Sequence, residues 1–322
     1  MTTRLHHVSP QPRTASLWRV PTPAPQPATG PPQRRSCPTA KHGESTSPMV
    51  NNLFLIVLDS CRFDSFERAN IRHLGALGSL QRRYSYASWT SPSHYVLMMG
   101  LLPHTSPQHV FASEVYKQEY RAWVQRLGIA ELSFKTFVPQ LSLPKVLKDH
   151  GYKTIGRVSM PVLNPYTAIS QHFDDYRLMD NHNDFRGMID EVAFPDAQPR
   201  FYFFNLGETH YPYMLDPNSM PRVSGVHGTV KSLRDPDGAA QTQAVADVFP
   251  AAEMQRLHHQ QSRCVEYVDA LMGELFDKCP ANTYFVVTAD HGELFGEDDY
   301  FGHGPIMHQK VFEVPLVEGM RP

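Results

Sequence analysis

The sequence lacks several features that would assign it to a special class of protein. It has only four cysteines in 322 residues, and Cys37, Cys61, Cys264 and Cys279 show no metal-ligand spacing. So few cysteines exclude a disulfide scaffold and weakly favour a reducing compartment. No apolar run approaches the roughly 20 residues of a membrane span, and the N-terminus has no apolar signal-peptide core. We therefore expect a soluble, cytoplasmic protein.

A strong charge of either sign is also missing. The formal net charge is −2, with 41% hydrophobic and 19% charged residues, as in ordinary globular proteins. A balance so close to neutrality gives no reason to expect nucleic acid or an anionic membrane as a partner. The length is sufficient for one large or two small domains with a sizeable core. The oligomeric state cannot be read from the sequence.

Residues 1–48 have almost no apolar periodicity and are rich in proline, threonine, serine and arginine. Such a segment cannot bury enough surface to offset its ordering entropy, so we predict a disordered tail. A single α/β domain over residues 49–322 would follow it. Two alternatives remain open: the proline-rich run is a docking arm, or translation begins at Met49.

Three apolar runs predict buried strands that end in polar residues. The runs cover residues 53–58, 201–206 and 284–287, and the polar residues that follow them are Asp59, His210, Asp290 and His291. If the sheet is parallel, the carboxyl ends of these strands meet at one edge, where ligands bind in α/β folds. Carboxylate oxygens beside an imidazole suit a divalent metal. The alternative is a set of turns with incidental polar residues and a structural histidine.

A helix start follows the first strand, in the segment Thr90-Ser-Pro-Ser-His94. We predict Ser91 as the N-cap and Pro92 as the first helical residue. A helix N-terminus suits an anionic phosphate or sulfate group. Thr90 would lie just outside it, where its hydroxyl could coordinate a metal and attack an ester. Alternatively, Thr90 and Ser91 only cap the helix.

The remaining chain alternates helical and strand-like patterns. Residues 141–156 predict a short helix and a strand, and residues 253–278 a long amphipathic helix. Residues 105–140 and 214–250 predict an insertion and a long loop without a readable signature. His303 lies between two glycines, where the backbone can approach a ligand closely.

Six motifs occur in the order of one known family. They are strand–Asp59, the Thr90-Ser-Pro-Ser-His94 helix start, strand–His210-x-Pro, the long helix, strand–Asp290-His291-Gly and Gly-His303-Gly. With them, residues 50–318 resemble the sulfatase family of the alkaline-phosphatase superfamily. The resemblance implies an α/β fold with a mainly parallel central sheet sandwiched by helices, in agreement with the strand–helix alternation. Because the chain ends soon after Val317, we expect the small C-terminal subdomain of larger members to be short or absent.

The resemblance also implies a metal site. Asp59, Thr90, Asp290 and His291 would hold one divalent ion, and Thr90 would be the covalent nucleophile. Mn²⁺, Ca²⁺, Mg²⁺ and Zn²⁺ all suit this set of oxygen ligands and one imidazole. A second metal remains open, with Glu208 as the nearest candidate carboxylate.

The implied substrate contacts are five further polar groups. His210 and His303 would contact the oxyanion or protonate the leaving group. The first turn of the helix at Ser91 would donate N–H groups to the nonbridging oxygens. His94 and Arg157 would lie against the substrate.

Several positions depart from the family pattern. Hydrolytic sulfatases carry a cysteine or serine, converted to formylglycine, where this chain has Thr90, and an arginine where it has His94. Ser60 stands in place of a second aspartate, and Pro305 in place of a frequent lysine. The usual sulfate-contacting Lys-x-His is absent, leaving Arg157 nearby.

A threonine nucleophile is similar to the phospho-branch of the superfamily, which includes phosphodiesterases, phosphonate monoester hydrolases and phosphoethanolamine or glycerol-phosphate transferases. We therefore predict a metal-dependent hydrolase that cleaves a small-molecule phosphate, phosphonate or sulfate ester through a covalent threonine intermediate. One alternative is a phospho-group transferase, which passes the group to an alcohol. The other is a non-catalytic binding protein, which would be expected to lose the ligand residues that this chain retains.

Overall fold

The computed structural model of the chain describes residues 51–99, 142–213, 230–231, 250–304 and 306–322. The predicted tail over residues 1–48 and the predicted insertion over residues 105–140 lie outside these ranges, as does most of the predicted loop over residues 214–250. Pro305 also lies outside them.

Within these ranges strands and helices alternate along the chain. The strands are β1 (Asn52–Leu58), β2 (Gln81–Tyr84), β3 (Lys153–Val158), β4 (Asp175–Leu178), β5 (Arg200–Leu206), β6 (Val230–Lys231), β7 (Thr283–Ala289), β8 (Leu294–Phe295), β9 (Tyr300–Gly302) and β10 (Glu313–Met320). The α-helices are α1 (Phe63–Arg68), α2 (His73–Leu77), α3 (Thr90–Met99), α4 (Leu143–Asp149), α5 (Phe185–Asp190), α6 (Ala251–Lys278) and α7 (Gln309–Phe312). Short 3₁₀ turns cover Pro161–Leu163, Ala168–Ser170 and Glu297–Asp299.

Seven strands form the central sheet, in the order β2-β10-β7-β1-β5-β3-β4. The five strands from β7 to β4 in this order run parallel, and β10 runs antiparallel to both β7 and β2. A second, three-stranded antiparallel sheet has the order β6-β9-β8. The large sheet confirms the predicted α/β architecture.

Both faces of the large sheet are covered by helices. Phe54 and Ile56 of β1 belong to a core that includes Val268 and Leu271 of helix α6. The alternate residues Leu55 and Val57 belong to a second core, which contains residues of helix α3. Side chains alternate between the two faces of a strand, so a strand buried on both sides reads as a continuous apolar run. This explains why β1 shows no polar alternation.

The long helix α6 confirms the predicted amphipathic pattern over residues 253–278. It begins two residues earlier, after Pro250, and ends at the predicted Lys278. The six apolar residues that carried the prediction are all buried, namely Val265, Val268, Leu271, Met272, Leu275 and Phe276. No described helix is both long and apolar enough to cross a bilayer.

The central position of β1 brings the predicted site residues to one edge. Its last residue, Leu58, is in register with Leu206 of β5 and with Ala289 of β7. All three strands run parallel, so the residues that follow them leave the sheet on the same side. Asp59 and Asp290 therefore emerge next to each other, with the segment that leads to His210 on the other flank of β1.

Candidate active site

Asp59, Asp290 and His291 form a buried cluster at the carboxyl ends of β1 and β7. Each is fully buried, and one ligand atom from each lies within 4.8 Å of the other two. His291 Nε2 is 3.3 Å from Asp290 Oδ2 and 4.0 Å from Asp59 Oδ1. Two ligands of a tetrahedral site with bonds of about 2.1 Å lie roughly 3.4 Å apart. The observed separations are therefore of the size that a shared metal ion requires.

The electrostatics of the two carboxylates differ. Burial raises the pKa of Asp290 well above its ordinary value, and the neighbouring charge of Asp59 raises it further. Burial also acts to raise the pKa of Asp59, but His210, His291 and His94 outweigh it and hold that pKa below its ordinary value. Ionisation of both carboxyl groups, of Asp59 and of Asp290, is unfavourable at this distance unless a cation lies between them.

Hydrogen bonds orient the side chains of Asp290 and His291. Asp290 Oδ1 accepts the backbone N–H groups of Ser60 at 3.0 Å and His291 at 2.9 Å, whereas the buried Oδ2 has no hydrogen-bond partner. His291 Nδ1 donates to the carbonyl of Gly292 at 2.9 Å, which fixes the tautomer and puts the lone pair on Nε2. Burial and His303 lower the pKa of His291 well below its usual value, so the imidazole is neutral. These residues fit a divalent cation.

Thr90 joins this cluster through its hydroxyl. Oγ1 lies 3.4 Å from Asp59 Oδ1 and 3.4 Å from His291 Nε2, and the residue is 6% exposed. Thr90 is the first residue of helix α3, so the helix begins two residues earlier than the predicted start at Pro92. The prediction that Thr90 lies outside the helix and that Ser91 caps it is therefore wrong. Because helix α3 begins at Thr90, the Thr90 hydroxyl and the N–H groups of the first turn lie at the same end of the helix.

The loop after β1 is held by Gln261 of helix α6. Ser60 adopts a left-handed backbone conformation with φ of 61°, which a side chain rarely adopts without support. Gln261 Nε2 donates to the carbonyls of Ser60 at 2.9 Å and Thr209 at 3.0 Å, and its Oε1 accepts the hydroxyl of Ser65 at 2.6 Å. The fully buried amide thus ties the Asp59 loop to the His210 loop.

His303 lies beside the cluster, held by a carboxylate that we did not predict. Its Nδ1 is 3.1 Å from Glu293 Oε1, and Tyr213 donates its hydroxyl to Glu293 Oε2. The rings of His303 and His291 are 4.3 Å apart between centroids, and those of His303 and His210 are 5.4 Å apart. The sequence signal for Glu293 was its position two residues after His291, in Asp-His-Gly-Glu.

Glu208, the carboxylate suggested for a second metal, is held by the backbone. Its Oε1 accepts the backbone N–H of Phe185 at 2.8 Å, and burial raises its pKa to about 7. Among the described residues, only Asp59, Asp290 and His291 form a group of three or more acidic, histidine or cysteine ligands close enough to share an ion. The carboxylate next to His303 is Glu293.

A cavity of about 580 Å³ opens onto Thr90. His210 and His303 also border it, and His210 Nδ1 donates to the carbonyl of Tyr211 at 2.6 Å. The cavity therefore places the three predicted catalytic side chains at one surface. The described residues that line it are Trp89, Thr90, Ser91, Met160, Pro161, Val162, His182, His210, Tyr211, Pro212 and His303.

The family profile described as Sulfatase matches residues 51–318, most of the chain. The chain belongs to the sulfatase family. No curated protein matches its sequence. The match spans all the site residues described above.

Solved structures with the same fold include phosphoethanolamine transferases and BT1596, a 2-O GAG sulfatase. The soluble domain of lipooligosaccharide phosphoethanolamine transferase A from Neisseria meningitidis superposes with a TM-score of 0.54 at 13% identity, over 86% of this chain and 78% of that domain. The chain spans about half, 49%, of the integral membrane form of that protein. BT4656, solved with D-glucosamine-2-N,6-O-disulfate, gives a TM-score of 0.53 at 14% identity, over 84% of this chain and 71% of that one. At these identities the likeness establishes the fold of this sulfatase-family chain.

Two of the predicted substrate contacts, His94 and Arg157, are not among the described residues that line the cavity. His94 is fully buried behind the cluster, where its Nδ1 donates to the Thr90 carbonyl at 2.8 Å. Arg157 is not brought to the site. Its guanidinium binds Asp175 at 2.6 Å and Glu191 at 2.5 Å, so its charge is already neutralised elsewhere. Of the five predicted substrate contacts, Ser91, His210 and His303 border the cavity.

Ser60 occupies the position of the second aspartate of the family pattern. Its hydroxyl is 3.2 Å from Asp59 Oδ1 and 3.5 Å from His303 Nδ1. A hydroxyl brings no negative charge to the cluster, so the two carboxylates of the cluster are those of Asp59 and Asp290. Glu293 contacts His303 at Nδ1.

Proposed function

We propose that the protein is a metal-dependent enzyme that cleaves a phosphate, phosphonate or sulfate ester through a covalent Thr90 intermediate. The observation that carries the proposal is the contact of Thr90 Oγ1 with both Asp59 and His291 at 3.4 Å, next to an open cavity. A hydroxyl that merely capped a helix would bond to the backbone N–H groups of the first turn.

Asp59, Thr90, Asp290 and His291 would hold the metal. When bound, a divalent cation lowers the pKa of a hydroxyl and neutralises charge on the group that is transferred. The Thr90 oxygen forms the new bond to phosphorus or sulfur as the bond to the leaving oxygen breaks. The first-turn N–H groups of helix α3 stabilise the nonbridging oxygens.

His210 or His303 donates the proton that the leaving oxygen takes up, since both border the cavity beside Thr90. Water then attacks the covalent ester, releases the acid and restores the hydroxyl. Thr90 cannot become formylglycine, which favours phosphorus over sulfur as the centre of attack.

A metal and substrate screen tests this proposal. The purified protein is incubated with Mn²⁺, Mg²⁺, Ca²⁺ or Zn²⁺ and with nitrophenyl phosphate, its diester, a phosphonate monoester or the sulfate. We expect metal-dependent release of nitrophenol, lowered at least about 10³-fold in Thr90→Ala. The matched variant Thr90→Ser keeps a hydroxyl and retains measurable turnover. Full metal-dependent turnover by Thr90→Ala would disprove the covalent scheme, and activity on the sulfate alone would disprove the preference for phosphorus.

The second candidate is transfer of the group to an alcohol. It is supported by the likeness of the fold to phosphoethanolamine transferases. The intermediate would be the same, but an acceptor alcohol would replace water in the second half of the reaction. Mass spectrometry of the products formed in the presence of glycerol or ethanol separates the two, because a transferase gives a new ester.

A further inference from the structure

The hairpin formed by β8 and β9 carries both His303 and the carboxylate that orients it. Glu293 comes directly before β8, and His303 comes directly after β9. The two strands are antiparallel, with Leu294 opposite Gly302. Glu293 and His303 consequently lie side by side, with Glu293 Oε1 3.1 Å from His303 Nδ1. The position of the His303 ring relative to the buried cluster therefore depends on how this hairpin is held.

Arg62, in the loop after β1, holds the far end of the hairpin. Its Nη1 donates to Glu297 Oε1 at 2.6 Å. Glu297 belongs to the 3₁₀ turn that connects β8 to β9, and its Oε2 accepts the backbone N–H of Phe295 at 2.6 Å. Arg62 Cζ also lies 5.2 Å from the centre of the Phe295 ring. Arg62 thus contacts the hairpin through an ion pair and through an aromatic ring.

The other side of the Arg62 guanidinium is fixed by Asp64. Nε and Nη2 donate to the two carboxylate oxygens of Asp64 at 2.8 and 2.7 Å. Lys310 Nζ donates to the same carboxylate at 3.1 Å, and the backbone N–H of Arg62 donates to Gln261 Oε1 at 3.3 Å. Because two carboxylates grip the planar guanidinium and the residue is buried, its orientation is set.

The same side chain contacts a third segment of the site. A Cβ atom at Gly292 would lie 3.3 Å from Arg62 Cγ, so the stem of Arg62 packs against the turn that follows His291. Arg62 itself comes three residues after Asp59. One buried side chain thus joins the segments that carry predicted metal ligands to the hairpin that carries His303. A buried ion pair is weak evidence for stability, because desolvation offsets much of its energy, so its placement is the informative feature.

We propose that Arg62 is a positioning residue, which acts through Glu297 to hold His303 in place to protonate the leaving oxygen. The inference rests on the proposed function and deepens it, because it takes His303, rather than His210, as the proton donor. Arg62 and Glu297 are not among the described residues that line the cavity, so neither is placed to contact the substrate. A general acid works only within hydrogen-bond reach of its acceptor, and a shift of about 1 Å lowers the rate strongly.

A series of esters that differ in leaving group tests this role. Glu297→Gln leaves one acceptor oxygen for the two donors, from Arg62 and Phe295, that use both carboxylate oxygens in the wild type. Both proteins are assayed on phenyl, 4-nitrophenyl and 2,4-dinitrophenyl esters of the acid that the wild type releases. We expect kcat/KM to fall about tenfold with the phenyl ester, whose leaving oxygen needs a proton, and less than about twofold with the 2,4-dinitrophenyl ester, whose anion leaves unaided. An equal loss across the series, or no loss, would overturn the proposal.

Asp298→Asn provides the matched control. It makes the same change one residue further along the 3₁₀ turn, where the side chain is 78% exposed. This variant should follow the wild type with every leaving group. Arg62→Lys keeps the charge but cannot reach two carboxylates at once, so it should reproduce the leaving-group dependence of Glu297→Gln. The double variant should lose no more than the larger single loss, and additive losses would contradict action through one contact.

A measurement without substrate separates failure of this inference from failure of the proposed function. Hydrogen–deuterium exchange of the backbone amides of residues 294–303 should be faster in Glu297→Gln than in the wild type or Asp298→Asn. The affinity for Mn²⁺ by calorimetry should stay within about twofold, because the hydrogen bonds of Glu297 go to Arg62 and Phe295. If the wild type cleaves no ester but exchange is faster, the proposed chemistry is wrong and the Arg62 contact still holds the hairpin. If esters are cleaved and exchange is unchanged, the chemistry stands and the positioning role is wrong.

Discussion

The buried cluster and the cavity wall are built in opposite ways. Asp59, Asp290 and His291 are fully buried at the tips of β1 and β7, and they are surrounded by hydrogen-bonding and charged groups. The Met160–Val162 turn lies at the end of β3 nearer the sheet margin, and Val162 is half exposed. Both regions follow the carboxyl ends of parallel strands. Depth in the sheet, rather than the edge itself, separates the buried cluster from the half-exposed wall of the cavity.

This difference in burial predicts how strongly a substitution in each region affects binding and stability. A substitution in the cluster alters a charge that has no solvent to screen it, so its effects on binding and stability are large. A substitution in the turn alters a few square ångströms of contact. The following three predictions, in order of decreasing effect, test the buried side of this contrast.

Asp290→Asn should have the largest effect and should separate metal binding from stability. The amide cannot supply the charge of a carboxylate, so we expect metal affinity at least about 100-fold weaker by calorimetry. At pH 7 the chelator-treated variant should unfold at a higher temperature than the wild type. This follows because burial and Asp59 raise the pKa of Asp290, so an ionised Asp290 destabilises the metal-free fold.

Asp180→Asn, the same change at an exposed aspartate, should leave both measurements unchanged. Unaltered metal affinity in Asp290→Asn would remove Asp290 from the ligand set.

Glu208→Gln should change stability with pH. Burial raises the pKa of Glu208 from an ordinary value of 4.5 to about 7. The folded protein therefore binds a proton that the unfolded chain releases, and this contribution is complete below pH 4.5 and is lost as the pH rises through 7. The variant should be more stable than the wild type at pH 8, by up to about 3 kcal/mol, and similar to it at pH 4.

Urea unfolding at several pH values measures this difference. Exposed Glu67, changed to glutamine, serves as the control and should follow the wild type at each pH. A difference between Glu208→Gln and the wild type that does not grow between pH 4 and pH 8 would contradict the assignment.

Glu293→Gln should have the smallest of these effects, and on rate rather than on binding. Glu293 orients His303 at 3.1 Å and is itself held by Tyr213. Loss of the carboxylate weakens that orientation, so we expect kcat to fall about tenfold with little change in KM. Tyr213→Phe removes only the outer hydrogen bond and should cost less. If Glu293→Gln raised KM and left kcat unchanged, Glu293 would not act through His303.

The centre of the site was predictable because its signals are local. Asp59 and Asp290 each follow an apolar run, and the run itself predicts both the strand and the end at which the acid emerges. Thr90 was predictable from the helix start, although the helix includes it. These residues meet because β1, β5 and β7 are parallel neighbours in the sheet. The sequence predicted only that the carboxyl ends of these strands share one edge of a parallel sheet.

The outer parts of the site depend on partners distant in sequence. Arg157 was predicted to contact substrate, but it forms ion pairs with Asp175 and Glu191. The sequence around Arg157 gives no sign of these two partners. Glu293 is visible next to His291, yet its role depends on Tyr213, which arrives from another loop. The Met160–Val162 turn that lines the cavity carries no motif. The rule that directed attention to strand ends would nevertheless have singled it out after β3.

The Gln261 bridge has a consequence for folding. Its amide joins carbonyls of Ser60 and Thr209, so three segments separated by as many as 201 residues must meet before the Asp59 loop is fixed. Such long-range closures are slow steps, because chain entropy is lost before the contacts form. In a collapsed intermediate whose sheet is only partly paired, Asp59 and Asp290 would be near each other, but the distance between their carboxylates would not yet be fixed. In refolding experiments, recovery of divalent-ion affinity should therefore lag behind recovery of helix content.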